Sequence, residues 1–150
     1  GKKRAMVGGT LAANPLSSAA GYYTLLEIKQ QQACEKAGAA GDRLTRGLQQ
    51  IIRNLDLPFV AYNQGSICHL ETTGTMFMPI NMKKFWTIPK TLKEIKIRKH
   101  MMEEMGAAYM MEGIVTLAGS RMYTSMADTD EIIDEALNRF EHVLSSVEGL

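Results

Sequence analysis

The chain is short of the features that mark several broad protein classes. It holds two cysteines, Cys34 and Cys68, and neither belongs to a Cys-x-x-Cys pair. The expectation is two buried free thiols in a reducing, cytoplasmic setting. Charge of either sign is not in excess: 17 Lys and Arg face 16 Asp and Glu, for a net charge of +1. That balance gives no global reason to expect nucleic acid or an anionic membrane as partner. No apolar run is long enough to span a bilayer, and no signal-peptide pattern opens the chain. Internal repeats and low-complexity segments are missing. The histidines, His69, His100 and His142, share no metal-ligand spacing, so no metal site is expected.

What is present suits one domain with a real core, since 45% of the 150 residues are hydrophobic. Eleven methionines are scattered along the chain, which reads as core filling rather than a recognition face. The chain opens Gly1-Lys2-Lys3-Arg4 and runs straight into mid-domain patterning, as a piece of a longer chain would.

Helix and strand signals alternate along the sequence. Asn14-Pro15 is a helix start, with Asn as N-cap and Pro where a missing N–H costs nothing. One long helix is expected from Asn14 to about Ala40, with Gly21 allowing a close contact and Gly38 and Gly41 marking a bend or break. Leu44, Leu48, Ile51, Ile52 and Leu55 give a second segment one apolar face. Phe59–Tyr62 and Ser66–Leu70 read as strands around a turn at Gly65, and Thr72–Pro89 as an irregular loop suited to a lid. Thr91–Glu112 reads as a helix capped by Gly113. Ile114–Leu117 and Arg121–Thr124 read as a strand pair. Asp128-Thr129-Asp130-Glu131 opens a last helix as an Asp-x-x-Glu capping box. Ile133, Leu137, Phe140, Leu144 and Val147 are its apolar face. The order predicts an α+β fold of two layers, with a small antiparallel or mixed sheet carrying helices on one face.

Three stretches carry candidate chemistry. Gly8-Gly9-Thr10 precedes a helix and presents backbone N–H groups and a hydroxyl suited to an anion. It has neither the lysine of a P-loop nor the third glycine of a dinucleotide fingerprint, and by pattern alone it reads first as a turn. Lys83–Lys99 carries Lys83, Lys84, Lys90, Lys93, Lys96, Arg98 and Lys99 against Glu94 alone. It reads as a solvated face balancing the acidic last helix, or as the basic face at 83–99 of a stand-alone interaction module. Arg121, at the start of a strand, is a bidentate carboxylate ligand or a surface arginine on an edge strand.

Gly9-Thr10-Leu11-Ala12-Ala13-Asn14-Pro15-Leu16-Ser17-Ser18-Ala19-Ala20-Gly21 resembles the Gly-Thr-Leu-Ser-Gly-Asn-Pro-Leu-x-x-Ala-Ala-Gly segment of class III pyridoxal-phosphate aminotransferases. Within that class it is most like the glutamate-1-semialdehyde aminomutase branch. Gly41-Asp42-Arg43-Leu44-Thr45-Arg46-Gly47-Leu48, Gly65-Ser66-Ile67, Tyr123-Thr124-Ser125 and Asp128-Thr129-Asp130-Glu131-Ile132-Ile133 resemble later family segments in the same order. The resemblance implies the C-terminal small domain of a fold-type-I enzyme, with residues 1–13 closing the cofactor domain and 14–150 forming the small domain and its interdomain helix. It implies pyridoxal 5'-phosphate as cofactor and a homodimer in the full enzyme. Gly9 and Thr10 would bind the cofactor phosphate of the neighbouring subunit. The substrates would be a small-molecule amino donor and acceptor, with Arg121 holding a substrate carboxylate. The Schiff-base lysine would precede Gly1, so this stretch alone would be inactive. Ala12-Ala13 stands where the branch has Ser-Gly, and Thr116–Met122 lacks its Ser-x-Phe-Glu. These departures leave a related transaminase open beside the aminomutase.

Overall fold

Helix α1 (Pro15–Gln30) starts where the sequence places it, behind an Asn-Pro cap. The computed structural model describes residues 9, 13–72 and 88–147, and their side chains except in 88–99. The chain divides into two compact units, Gly1–Ala33 and Cys34–Leu150. In the first, the Asn14 side-chain oxygen accepts from the N–H groups of Leu16 and Ser17 at 3.0 and 3.3 Å. None of the α1 residues is buried, and among the described residues nothing lies within 4 Å of where a Cβ on Gly21 would sit. Among the described residues the close contact expected there is not made. The long helix expected through Ala40 is instead interrupted at Gln31 and Gln32, where Gln32 takes a φ of 54° and breaks the hydrogen-bond ladder.

Helix α2 (Ala33–Asn54) runs through Gly38 and Gly41 without the expected bend. Gly41 serves packing instead. A Cβ there would collide with the backbone oxygen of Gly65, so the missing side chain lets the helix lie against a strand turn. That turn joins β1 (Val60–Gln64) to β2 (Ile67–Glu71), and β3 (Arg121–Tyr123) pairs on the far side of β2. The order is β1-β2-β3 and both pairings are antiparallel. The fold is therefore α+β, with a small antiparallel sheet. The expected Ile114–Leu117 strand is reduced to a single bridge between Leu117 and Arg121. Leu117 and Arg121 bond to each other at both ends of a tight turn, which uses up the edge that a longer strand would need.

The sheet's core face carries Ala61, Cys68, Leu70 and Met122, all buried. Against it lie Leu44, Leu48, Ile51 and Ile52 of α2, as the helical spacing predicts. The Gln49 side-chain amide donates to the Ala61 carbonyl at 2.9 Å, and the Thr124 hydroxyl to the Ala37 carbonyl at 2.7 Å. Helix α3 (Ile88–Met111) adds Tyr109, and α4 (Asp130–Ser145) adds Ile133, Phe140, Val143 and Leu144. Tyr109 and Phe140 meet edge to face at 5.1 Å between ring centroids. The α4 start differs from the expected capping box. Thr129 is the N-cap, accepting from Ile132 N–H, while Asp128 accepts from Ser125 N–H at 2.6 Å. Asp128 thus closes the preceding turn rather than the helix.

Gly119, at a φ of 74°, sits in the turn before β3. A Cβ there would collide with the Met102 carbonyl of α3, so this turn and β3 are set directly against that helix.

Leu48 is fully buried at the centre of these layers. Leu48→Ala should lower the unfolding free energy by about 3 kcal/mol in urea titrations. Gly119→Ala should cost about 2 kcal/mol through the left-handed backbone and the Met102 contact together. A loss within about 0.5 kcal/mol for either variant would contradict this packing.

Candidate functional site

The anion-loop reading meets a constraint at the start of α1. A helix N-terminus attracts anions because its first N–H groups have no partner inside the helix. Here Pro15 has no N–H, Asn14 Oδ1 takes those of Leu16 and Ser17, and the Asn14 carbonyl takes that of Ser18 at 2.9 Å. The helix end is spent on its own cap. Gly9 is exposed, with no described atom within 4 Å of a Cβ position. Its backbone is therefore open to close approach, as a phosphate-binding glycine requires. Thr10 lies outside the described residues.

Arg121 stands where expected, at the start of edge strand β3, and its side chain is exposed. Among the described residues its guanidinium makes no hydrogen bond or ion pair. What the sequence reading missed is the company it keeps. Alternation along β2 sends Cys68 and Leu70 into the core and His69 and Glu71 to the opposite face. His69 is the register partner of Tyr62 on β1 and of Arg121 on β3. The Tyr62 and His69 rings stack at 4.9 Å with planes 2° apart. Glu71 Oε1 lies 3.7 Å from His69 Nδ1 and 3.5 Å from the Tyr62 hydroxyl. The Glu71 side chain is only 8% exposed and that of His69 18%. Partial burial, and then the Glu71 carboxylate, hold the Tyr62 phenol above its ordinary value, with Arg121 opposing. The signal was available in the sequence: period-two spacing on β2 already pairs His69 with Glu71.

Gly9 belongs to the first unit and Arg121 to the second. The side chains of the basic stretch 83–99 lie outside the described residues, as does the segment expected to form a lid, 73–87. A cleft of about 540 Å³ between α3 and α4 is lined by Met101, Met105, Met111, Val143 and Val147 and contains none of the expected site residues. Among the described residues there is no cluster of His, Cys, Asp and Glu able to hold a metal, and no helix long and apolar enough to cross a membrane.

The thiols differ from expectation. Cys68 is buried but Cys34 is exposed, because α2 presents Cys34 on a turn with no core beneath it. Burial pushes the Cys68 thiol up, with the Thr45 hydroxyl partly opposing, so it is a poor nucleophile.

No protein-family model matches the chain. Its similarity to individual proteins is to aminomutases. The chain is 30% identical over 144 residues to the glutamate-1-semialdehyde 2,1-aminomutase of Desulfitobacterium hafniense strain Y51, a match covering 93% of the chain. It is 28% identical over 134 residues to glutamate-1-semialdehyde 2,1-aminomutase 2 of Brevibacillus brevis, and 39% identical over 59 residues to the aminomutase of Legionella pneumophila strain Corby. The chain spans about 30% of the length of the Desulfitobacterium protein and 28% of the Brevibacillus protein.

A thiol reagent at neutral pH should label one cysteine per folded chain, and Cys34→Ser should abolish that labelling until the chain is unfolded. Fast labelling of Cys68 in the folded state would contradict its burial.

Proposed function

We propose that this chain is the C-terminal part of a pyridoxal-phosphate-dependent aminomutase or aminotransferase. The observation that carries the reading is similarity to glutamate-1-semialdehyde aminomutases across 93% of the chain. In this reading residues 1–13 close the cofactor domain and 14–150 form the small domain. The cofactor, when bound, supplies the electron sink for moving an amino group. The chain's own residues bind and orient. Gly9 offers an open backbone to the cofactor phosphate and Thr10 a hydroxyl, acting in the neighbouring subunit of a homodimer. The Asn14 cap keeps the helix N–H groups out of this contact, so the loop alone defines the anion position. Arg121 offers its guanidinium fork to a substrate carboxylate, which fixes the amino-bearing carbon by geometry rather than by charge alone. The amino donor and acceptor are small molecules.

The reading requires a coding sequence that continues upstream of Gly1 and contains a lysine a few tens of residues before Thr10. A start codon at that point would overturn it. In the longer polypeptide, Thr10→Ala should weaken cofactor retention about tenfold in equilibrium dialysis, the loss of one hydrogen bond to a charged group. The isolated chain treated with cofactor and borohydride should carry no stable adduct on a specific lysine.

A further inference from the structure

Helices α3 and α4 are tied together at one place and part beside it. The tie is the edge-to-face pair of Tyr109 and Phe140, with Arg139 Nη1 donating to the Glu112 carbonyl at 2.8 Å. Beside it lies the cleft of about 540 Å³, a volume that suits a small molecule. Its walls are apolar. Met101, Met105 and Ala108 follow one another at i, i+4 and i+7 on α3, and Val143 and Val147 line the cleft from α4. Methionine side chains are flexible and polarizable, so such a wall moulds itself to an alkyl chain.

Two groups interrupt the apolar lining, and their spacing selects a ligand. Glu104 and Glu112 both line the cleft, eight residues apart on α3. Eight residues of helix rise about 12 Å, close to the length of an extended eight-carbon α,ω-diamine. Among the described residues that line the cleft there is no lysine or arginine. Arg139 is spent elsewhere, its Nη1 on the Glu112 carbonyl and its Nε on Glu135 at 2.8 Å. The side-chain partners of the two carboxylates are histidines: His100 Nε2 lies 3.1 Å from Glu104 and His142 Nδ1 lies 3.2 Å from Glu112. Each carboxylate keeps a second oxygen for a further donor. Apolar walls do not suit a hydrated divalent cation, and among the described residues no cluster of metal ligands forms.

We propose that the cleft between α3 and α4 binds a long aliphatic diamine, with one ammonium at Glu104, the other at Glu112 and the methylene chain against Met105, Ala108, Val143 and Val147. The chain supplies the affinity and the two charges select its length. Glu104 is 64% exposed and Glu112 36%, so each ion pair is weak alone and the Glu112 end is the stronger. A monoamine uses one end only. A short diamine reaches one carboxylate at a time and leaves the apolar walls uncovered.

The test is a titration of the 150-residue chain, carrying methyl-13C methionine and followed by NMR at pH 8. The probes are 1,8-diaminooctane, octylamine and 1,3-diaminopropane at matched ionic strength. Diaminooctane should bind saturably and shift the methyl signals of Met101, Met105 and Met111, leaving those of Met122 and Met126 in place. It should bind at least about threefold tighter than either other amine, the effect of one further exposed ion pair. Glu104→Gln and Glu112→Gln should each weaken diaminooctane by about threefold, with an unchanged Met122 signal showing that the fold is kept. In the double variant diaminooctane should bind no tighter than octylamine. Equal affinity for diaminooctane and octylamine, equal binding of the short diamine, or affinity unaltered in both single variants would overturn the site. The same titration of the longer polypeptide is a second arm. Shifts seen in the 150-residue chain alone would mean that another segment of the protein covers the cleft, and would also overturn it. No cofactor enters this experiment, so its failure is distinct from failure of the upstream-lysine and cofactor tests.

Discussion

The close approach of α2 to the β1–β2 turn at Gly41 is the contact on which the second unit depends. Any side chain at that position would strike the Gly65 carbonyl and lift the helix from the sheet. With the helix down, Leu44, Leu48, Ile51 and Ile52 reach the core face made by Ala61, Cys68 and Leu70. Fully burying side chains of this size contributes about 1.5–3 kcal/mol each relative to exposure. The same seating lets Gln49 satisfy the Ala61 carbonyl and lets Thr124 reach Ala37. A second close approach, Gly119 beneath the Met102 carbonyl, ties the turn before β3 to α3. Together these contacts fix the strand that carries Arg121.

Division of labour between the two sheet faces follows from the alternation of the strands. One face is apolar and committed to the helices. The other carries Tyr62, His69, Glu71, Arg121 and Tyr123, and the first three find partners in one another. Glu71 is nearly buried, and a buried carboxylate needs a hydrogen-bonding or ionic partner. His69 and the Tyr62 hydroxyl meet that need within the same sheet. At the helix periphery, Arg43 bridges both carboxylate oxygens of Asp134 at 2.7 and 2.8 Å, joining α2 to α4. Arg139 donates to the Glu112 carbonyl at 2.8 Å, tying the end of α3 to α4. Such exposed pairs orient elements more than they stabilise them.

Local chemistry was legible from the residues where the cause is local. The Asn14 cap, the hairpin at Gly65, the apolar face of α2 and the buried face of α4 all follow from spacing within a few residues. The misreadings share a different cause. Gly38 and Gly41 look like helix breakers in sequence, and only the neighbouring turn shows that the glycine at 41 serves close packing. Gln31 and Gln32 carry no breaking signal, yet the helix is interrupted there. Asp128 and Thr129 are both good N-caps, and the Ser125–Asp128 turn decides between them. Cys34 and Cys68 are the same residue type, and only the tertiary fold exposes one and buries the other.

Sequence alone determined most of the helices and strands, the α+β class and the similarity to aminomutases, because each is written in local pattern or residue identity. Tertiary structure decided the rest. It interrupted the first helix at Gln31 and Gln32 and seated α2 against the β1–β2 turn at Gly41. It also set three strands in a register that places Tyr62, His69 and Arg121 side by side. The physical reason is distance along the chain. Tyr62 and His69 are close in sequence, but Arg121 meets them only after α3 and its following turn have carried the chain back to the sheet edge.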